Sequence, residues 1–284
     1  MKKVKINVPA KVNLTLDVLG ASGGYHQIKS LVSSVSVFDT ITLTKREDHR
    51  ITLSVKGIKI GVDKTHNNAY IAAKMFMKRF GTMGVNIELF KRIPIGGGMG
   101  GSSADVVGVL LGMKKLFGVE DDLISLANEL GSDTAYMLNG GIKVISGRGE
   151  IVDSTLIDTP LYFTALKCDK IISAKKCYSL FDGLNKTFAP CTDNAVLSLE
   201  NKDFSSFCSV AKNDLYNATR LEVEEIDKNL SILKEVGAPL TIMTGSGTVV
   251  LGVYKDKKTR DNHFRRLKKE HEKDLLKFDT VILK

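Results

Sequence analysis

A glycine-rich stretch that leads directly into an apolar helical run constrains this chain more than any other feature. The stretch covers residues 94–117, and five glycines and two serines precede its apolar part. Glycine lets a backbone turn sharply and approach a ligand closely. Apolar residues recur at helical spacing from Val106 to Phe117, and Gly118 follows as a stop signal. The pattern predicts a loop that opens a helix, with N–H groups able to bind phosphate at the helix N-terminus.

Two familiar nucleotide-binding patterns fit this stretch poorly. A P-loop of the G-x-x-x-x-G-K-[ST] type needs a lysine where residues 102–104 read Ser-Ser-Ala. A G-x-G-x-x-G match begins at Gly96, but no strand–helix–strand pattern with a downstream carboxylate accompanies it. A plain turn or a tight helix–strand contact stays open as a purely structural explanation.

Length and composition are typical of a globular protein with one large or two ordinary domains. The chain has 284 residues, of which 43% are hydrophobic and 26% charged. Its start alternates like a strand, without the continuous apolar stretch of a signal peptide, and no apolar run is long enough to span a bilayer. We therefore expect a cytoplasmic protein without a membrane partner. The four cysteines form no C-x-x-C pair, so we expect reduced thiols and no cysteine-built metal site.

The chain is basic, with a formal net charge of +9 and an isoelectric point near 9.2. This favours an anionic partner, either a nucleic acid or a phosphorylated small molecule. Much of the excess charge lies in residues 255–277, which predict a helix with Phe264, Leu267 and Leu275 on its apolar side. A solvated basic face is the ordinary explanation of such a run. A basic RNA-binding module is the alternative, although the aromatic residues are sparse and Asp133 has no role in it.

The remaining pattern predicts strands and helices in an α+β arrangement of two domains, 1–152 and 153–284. The predicted strands are 3–8 and 12–18, joined near Pro9, followed by 31–43, 51–55, 85–89, 142–146, 161–166 and 248–254. The predicted helices besides the loop helix are 68–80, 121–130, 174–180, 193–198, 203–211 and 221–236. A second small-residue turn, residues 244–247, is expected to face the same cleft as the glycine loop.

Asp133 attracts attention because it follows Ser132 at the predicted start of a helix. Ser132 fits an N-cap, which would place Asp133 in the first turn, where the helix dipole favours an ionised carboxylate. A helix-start residue and a catalytic carboxylate are both consistent with this segment alone.

Six short motifs lie in order along nearly the whole chain. They are PAKVN at 9–13, GYH at 24–26, the loop at 94–105, GSD at 131–133, GRGE at 147–150 and GSG at 245–247. Together they resemble the GHMP kinase superfamily. The first two are most similar to members whose acceptor is a cytidine-diphosphate-linked alcohol in non-mevalonate isoprenoid synthesis.

The resemblance implies a fold and a set of roles. The N-terminal domain would be like ribosomal protein S5 domain 2 and the C-terminal domain ferredoxin-like, with the active site in the cleft between them. The cofactors would be ATP and Mg²⁺, the latter held with the triphosphate near Ser103. Lys11 and Asp133 would be catalytic, with Asp133 taking the proton of the substrate hydroxyl. The implied ATP-binding residues are Asn68, Lys91, Pro94, Gly96, Gly97, Gly98, Gly100, Gly101, Ser102, Ser103 and Ala104. The implied substrate-binding residues are Asn13, Tyr25, His26, Tyr178 and Gly245.

The chain departs from the family pattern mainly on the acceptor side. Gly23 stands where an acidic residue is usual, residues 134–136 replace a valine-proline-phenylalanine sequence, and a proline is missing near Cys168. Mevalonate, homoserine and sugar acceptors therefore stay open as alternatives. We expect a small-molecule kinase that is a monomer or a weak homodimer and has no nucleic-acid partner.

Overall fold

The computed structural model describes residues 2–59, 61, 63–154, 157–184 and 188–281. The strands are β1 Lys3–Asn13, β2 Asp17–Ser22, β3 Tyr25–Lys45, β4 Ile51–Gly57, β5 Val85–Lys91, β6 Ile142–Gly147, β7 Ile151–Val152, β8 Tyr162–Lys167, β9 Leu240–Met243, β10 Val249–Tyr254 and β11 Leu275–Asp279. The helices are α1 Asn68–Phe80, α2 Gly101–Phe117, α3 Ile124–Leu130, α4 Thr134–Asn139, α5 Ala174–Asp182, α6 Thr192–Glu200, α7 Phe204–Val210, α8 Tyr216–Thr219, α9 Glu225–Glu235 and α10 Lys257–His271, with a 3₁₀ turn at Lys64–His66.

The chain divides into two compact units. The first consists of Met1–Ala10, Val37–Ile93 and Gly100–Asn139, and the second of Lys11–Ser36, Pro94–Met99 and Gly140–Lys284. The unit boundaries fall within β1 and β3, so each of these strands contributes a part to both units.

In the first unit, helices cover a sheet in which β5 pairs antiparallel with β3 and parallel with β4. Helix α2 lies very close to β3, and two of its glycines make this approach possible. A Cβ atom at Gly108 would lie 2.3 Å from Ile41 Cδ1, and one at Gly112 would lie 2.7 Å from Leu43 Cδ1. Larger side chains at either position would push α2 away from the sheet, since a packed core has no room for them.

In the second unit, one antiparallel ladder joins β3 to β6, and a separate antiparallel sheet has the strand order β11-β8-β10-β9. Helices α9 and α10 pack on the second sheet. Its central strand β10 is buried along its whole length, consistent with its continuous apolar sequence VVLGVY. Within the described ranges, no helix has both the length and the apolar character needed to cross a bilayer.

The structure corrects three details of the sequence-based interpretation. One strand, β1, runs through Pro9 to Asn13, and β2 begins only at Asp17; a proline is tolerated in a strand where its missing N–H is not required. The predicted basic helix 255–277 ends at His271, because Leu275 belongs to β11 and pairs with β8. Helix α4 begins at Thr134, so Asp133 precedes the helix and does not lie in its first turn.

Candidate functional site

The two small-residue turns identified in the sequence meet backbone to backbone in the second unit. A Cβ atom at Gly98 would lie 2.2 Å from the carbonyl oxygen of Thr244, and one at Gly247 would lie 2.1 Å from the amide nitrogen of Gly98. Gly98 also has a φ of 73°, in the region that favours glycine. The contact between residues 94–99 and 244–247 therefore requires glycine on both sides.

The end of β1 is fixed against both turns by hydrogen bonds of buried residues. Lys11 N donates to Met99 O at 3.1 Å, and Asn13 N donates to Thr244 Oγ1 at 2.8 Å. Lys11 Nζ donates to Asn13 Oδ1 at 2.7 Å, and Asn13 Nδ2 donates to Ser30 Oγ at 2.7 Å. Because Lys11 is only 5% exposed, its ammonium group is held in one place. A fixed ammonium of this kind is suited to binding a substrate oxygen.

A cluster of flat side chains lies elsewhere in the second unit. The His26 ring stacks on Tyr178 with a centroid distance of 4.6 Å and an interplanar angle of 20°. Tyr25 is 58% exposed, and the Arg148 guanidinium lies 5.0 Å from the centre of its ring. Flat rings with polar edges can recognise a heteroaromatic base by stacking and by hydrogen bonds.

Asp182 is a member of this cluster that the sequence did not indicate. Its Oδ1 lies 2.7 Å from His26 Nε2, and it follows Tyr178 by one helical turn on α5. An ionised carboxylate can only accept, so a neutral His26 donates from Nε2 and presents Nδ1 as an acceptor. The i, i+4 relation to Tyr178 was readable in the sequence, but the pairing with His26 was not.

In the first unit, the hydroxyl groups at the start of α2 lie near Asn68 and Gly131. Asn68 Nδ2 donates a hydrogen bond to Ser102 Oγ. A Cβ atom at Gly131 would lie 3.5 Å from Ser103 Oγ, which places Ser103 beside the segment that leads to the half-buried Asp133. The structure thus brings Asn68, Ser102 and Ser103 to one end of α2.

The other loop residues named from the sequence support the backbone of the loop. Pro94 is buried. A Cβ atom at Gly96 would lie 2.9 Å from the Ile171 side chain, and one at Gly97 would lie 2.7 Å from the Val249 side chain. Gly100 has a φ of 70° and accepts a hydrogen bond from the amide of the buried Ala104 at 2.9 Å. Gly245 is buried, with a φ of 58°.

Lys91 lies in a buried ionic cluster of the first unit with Asp39 and Asp105. Its Nζ is 2.9 Å from Asp105 Oδ2, donates to Asp39 Oδ2, and donates to Gly101 O at 3.1 Å. Burial raises the pKa of Asp105 to about 7 against the opposing effect of Lys91, and the Asp39 carboxylate raises it further. Neither aspartate was identified from the sequence, although Asp39 is a charge within an apolar strand and Asp105 lies two residues after Ser103.

No group of three or more histidine, cysteine, aspartate or glutamate side chains in the described ranges is arranged to hold a metal ion.

Comparisons with known proteins give consistent results. Family models described as GHMP kinases N terminal domain and GHMP kinases C terminal match residues 67–145 and 195–273. A 4-diphosphocytidyl-2-C-methyl-D-erythritol kinase of Caldicellulosiruptor saccharolyticus is 33% identical over 253 residues, which cover 87% of each chain. The kinase of that name from Clostridium beijerinckii is 30% identical over 98% of this chain and 100% of its own.

Solved structures resemble this fold at lower sequence identity. A crystal structure of 4-(cytidine 5'-diphospho)-2C-methyl-D-erythritol kinase superposes with a TM-score of 0.82 and 23% identity, covering 97% of this chain and 98% of the other. A mevalonate kinase of L. major in complex with R-mevalonate gives a TM-score of 0.75 and 14% identity, covering 98% and 95%.

Proposed function

We propose the function of this chain on the premise that it belongs to the GHMP kinase family. It is an ATP-dependent small-molecule kinase, and its acceptor is 4-diphosphocytidyl-2-C-methyl-D-erythritol, which it phosphorylates on the 2-hydroxyl. The reaction belongs to the non-mevalonate route to isoprenoid precursors. The observation that carries this proposal is the 33% identity over 87% of the chain with a kinase of that name.

The nucleotide is bound by the glycine loop and the start of α2. Backbone N–H groups of residues 100–103 and the positive end of the helix dipole bind the phosphates. Ser102 adds a hydroxyl that Asn68 orients through their hydrogen bond. Lys91 contributes through its bond to the Gly101 carbonyl. Pro94, Gly96, Gly97, Gly98 and Ala104 belong to the same site because they shape the loop.

Mg²⁺ accompanies the triphosphate, and the residues present fit it. Mg²⁺ keeps several water ligands and needs few protein ligands beside substrate phosphates. The Ser103 hydroxyl, half-buried beside the segment that leads to Asp133, supplies an oxygen of the required kind. When bound there, Mg²⁺ would supply positive charge that offsets the charge of the transferred group.

Asp133 and Lys11 act on the acceptor hydroxyl. Phosphoryl transfer depends on in-line positioning and cancellation of charge. Asp133 accepts the proton that the hydroxyl loses, and Lys11 binds the hydroxyl oxygen. The hydrogen bond from Lys11 Nζ to Asn13 supports this role, since it fixes the direction of the ammonium group.

The cytosine of the acceptor is bound by the aromatic cluster of Tyr25, His26 and Tyr178. Gly245 also belongs to the substrate site and lies in the turn that contacts the glycine loop. Tyr25 and Tyr178 stack on the base, while His26 offers its polar edge. The stacked geometry of His26 and Tyr178 supports this assignment, because mevalonate, homoserine and sugars contain no aromatic ring to stack.

The division into domains at 1–152 and 153–284 and a cytoplasmic location are parts of the same proposal. The division is supported by the two family models, which end at residue 145 and begin at residue 195. Limited proteolysis that cuts first between residues 146 and 194 would agree with it.

The decisive experiment measures ATP turnover with Mg²⁺ against four acceptors: the cytidylyl methylerythritol, mevalonate, homoserine and galactose. Wild type is compared with Asp133→Asn, which keeps the size of the side chain and removes its basicity. We expect turnover with the cytidylyl compound alone and its loss in the variant. Turnover with another acceptor would keep the kinase mechanism and refute the substrate. Unchanged turnover in the variant would refute Asp133 as the base.

A further inference from the structure

Asn213 is a buried residue of the second unit that the proposed mechanism does not use. It is 6% exposed and lies in the connection between α7 and α8. The backbone on both sides of it pairs with Leu16, because Leu16 N donates to Lys212 O at 3.0 Å and Asp214 N donates to Leu16 O at 2.9 Å. The backbone at Asn213 is therefore fixed beside the chain that follows β1.

The side-chain amide of Asn213 bonds to the turn of residues 244–247. Its Nδ2 donates to Met243 O and to Gly245 O, both at 2.8 Å. Its Oδ1 accepts from Leu215 N at 3.0 Å, a local bond that fixes the direction of the side chain. Because both turn partners are carbonyl oxygens, which only accept, the nitrogen of the amide must face the turn. Both amide hydrogens are thus used to hold the turn.

The turn depends on this support because its own closing bond is long. Gly247 N donates to Thr244 O at 3.3 Å, beyond the usual length of such a bond. Met243 ends β9, and Gly245 has a φ of 58° inside the turn. The amide of Asn213 therefore ties the end of the strand to the point where the chain reverses.

The turn contacts two parts of the second unit that the proposed function places at the reaction. A Cβ atom at Gly245 would lie 3.0 Å from Gly98 O in the glycine loop and 3.2 Å from Asn13 Oδ1. Asn13 N also donates to Thr244 Oγ1 at 2.8 Å, and Asn13 Oδ1 accepts from Lys11 Nζ at 2.7 Å. A shift of the turn would therefore displace both the loop and the residue that directs the ammonium group of Lys11.

We infer that Asn213 is a positioning residue for phosphoryl transfer. Its amide sets the place of the turn 244–247, and the turn sets the places of residues 94–99 and Asn13. Asn213 acts through the backbone of the turn and takes part in no bond that forms or breaks. The effect on turnover rests on the proposed function, whereas the effect on the turn does not.

Two variants of the full chain separate the two amide functions. Asn213→Ala removes the donors to the turn together with the acceptor for Leu215 N. Asn213→Asp keeps the size and that acceptor, but it presents an oxygen to the two turn carbonyls. Asn229→Ala is the matched control, because Asn229 is another buried asparagine of the same unit, and its Nδ2 lies 3.5 Å from Cys168 Sγ.

Two measurements are made at a temperature where circular dichroism shows the variants to be folded. Hydrogen exchange followed by mass spectrometry reports on the amides of residues 240–250, among them Thr244 N, which donates to Val249 O, and Gly247 N. Initial rates with ATP, Mg²⁺ and the cytidylyl methylerythritol give kcat and both KM values.

We expect the turn to exchange at least about fivefold faster in both Asn213 variants, because two hydrogen bonds that hold it are lost. At saturating substrates, kcat should fall about 10- to 100-fold, since in-line transfer is sensitive to small displacements. Asn229→Ala should unfold at lower urea but keep both the exchange of the turn and kcat within about twofold of wild type.

Unchanged exchange of the turn would overturn the inference, and so would an unchanged kcat despite faster exchange. An equal fall of kcat in Asn229→Ala would also overturn it, since any loss of packing would then have the same effect. If Asn213→Ala does not fold, Asn213→Asp decides the question. A wild type without turnover would refute the proposed function, while the exchange data would still decide whether Asn213 holds the turn.

Discussion

Two groups of this protein pair a nitrogen donor with carboxylate oxygens in opposite surroundings. Lys91 and its two aspartates are almost completely buried in the first unit, whereas His26 pairs in the second unit with Asp182, whose side chain is 61% exposed. Removing a partner from a buried cluster leaves an uncompensated charge, but an exposed pair is compensated by water. We therefore expect changes in the buried cluster to alter stability strongly, and changes in the exposed pair to alter it little.

Lys91→Met should give the largest effect, because it leaves two carboxyls buried without their cation. We expect the free energy of unfolding to fall by about 3–5 kcal/mol. Urea denaturation followed by circular dichroism measures it, and Lys3→Met, which removes an exposed lysine of the same unit, is the control. A loss no larger than that of the control would show that the buried and exposed pairs are energetically alike.

Tyr178→Ala removes the ring on which His26 stacks and tests whether the exposed cluster recognises a base. Stacking on an aromatic side chain contributes about 1–3 kcal/mol per base, so KM for the cytidylyl acceptor should rise roughly 5- to 150-fold. KM for ATP should stay nearly unchanged. Initial-rate kinetics with each substrate varied provides the test, and equal increases in both constants would contradict separate functions for the two regions.

The pH dependence of the free energy of unfolding is a further difference that we expect between the buried Lys91 cluster and the exposed His26–Asp182 pair. Asp105 has a raised pKa of about 7, so wild type should lose about 1 kcal/mol of stability between pH 6 and pH 8. Lys91→Met changes the surroundings of Asp105 and should alter this slope, whereas Asp182→Asn should leave it unchanged. Urea denaturation at several pH values measures the slope; a change caused by Asp182→Asn would place the titrating group in the other region.

Asp182→Asn should give the smallest change in stability, about 0.5 kcal/mol or less, because the side chain is mostly in water. It should nevertheless raise KM for the acceptor a few-fold, since His26 loses the partner that selects its tautomer. Asp193→Asn breaks another exposed pair, with Lys29, and is the control for surface charge. If both variants change KM for the acceptor equally, the prediction that Asp182 orients His26 is wrong.

Local signals in the sequence were sufficient to predict the helices that lie beside the candidate site. Helix α1 has the predicted bounds, and α2 begins within the glycine loop and ends before Gly118, whose φ is 71°. Glycine conformation and apolar spacing depend on neighbouring residues, so they can be read without knowledge of the fold. The two-domain GHMP kinase fold could be predicted because the six motifs keep their order along the chain. The family models and the solved structures confirm it.

Contacts between distant residues could not be read in this way. Asp39 lies 52 residues before Lys91, and His26 lies 156 residues before Asp182. Nothing in the local sequence of either partner specifies the other. Leu275 was assigned to the apolar side of the basic helix together with Phe264 and Leu267, yet pairing with β8 places it in a strand. The catalytic and binding roles of the individual residues stay predictions until the variants are measured.

The contact of Gly98 with Gly247 joins two segments that are synthesised at different times. The two glycines are separated by more than half of the chain, and their close backbone approach gives neither side a substitute partner. Contacts of such sequence separation form late, since a large loop must close first. During synthesis, residues 94–99 leave the ribosome long before residues 244–247 exist. The glycine loop therefore lacks this packing partner until most of the chain has been translated.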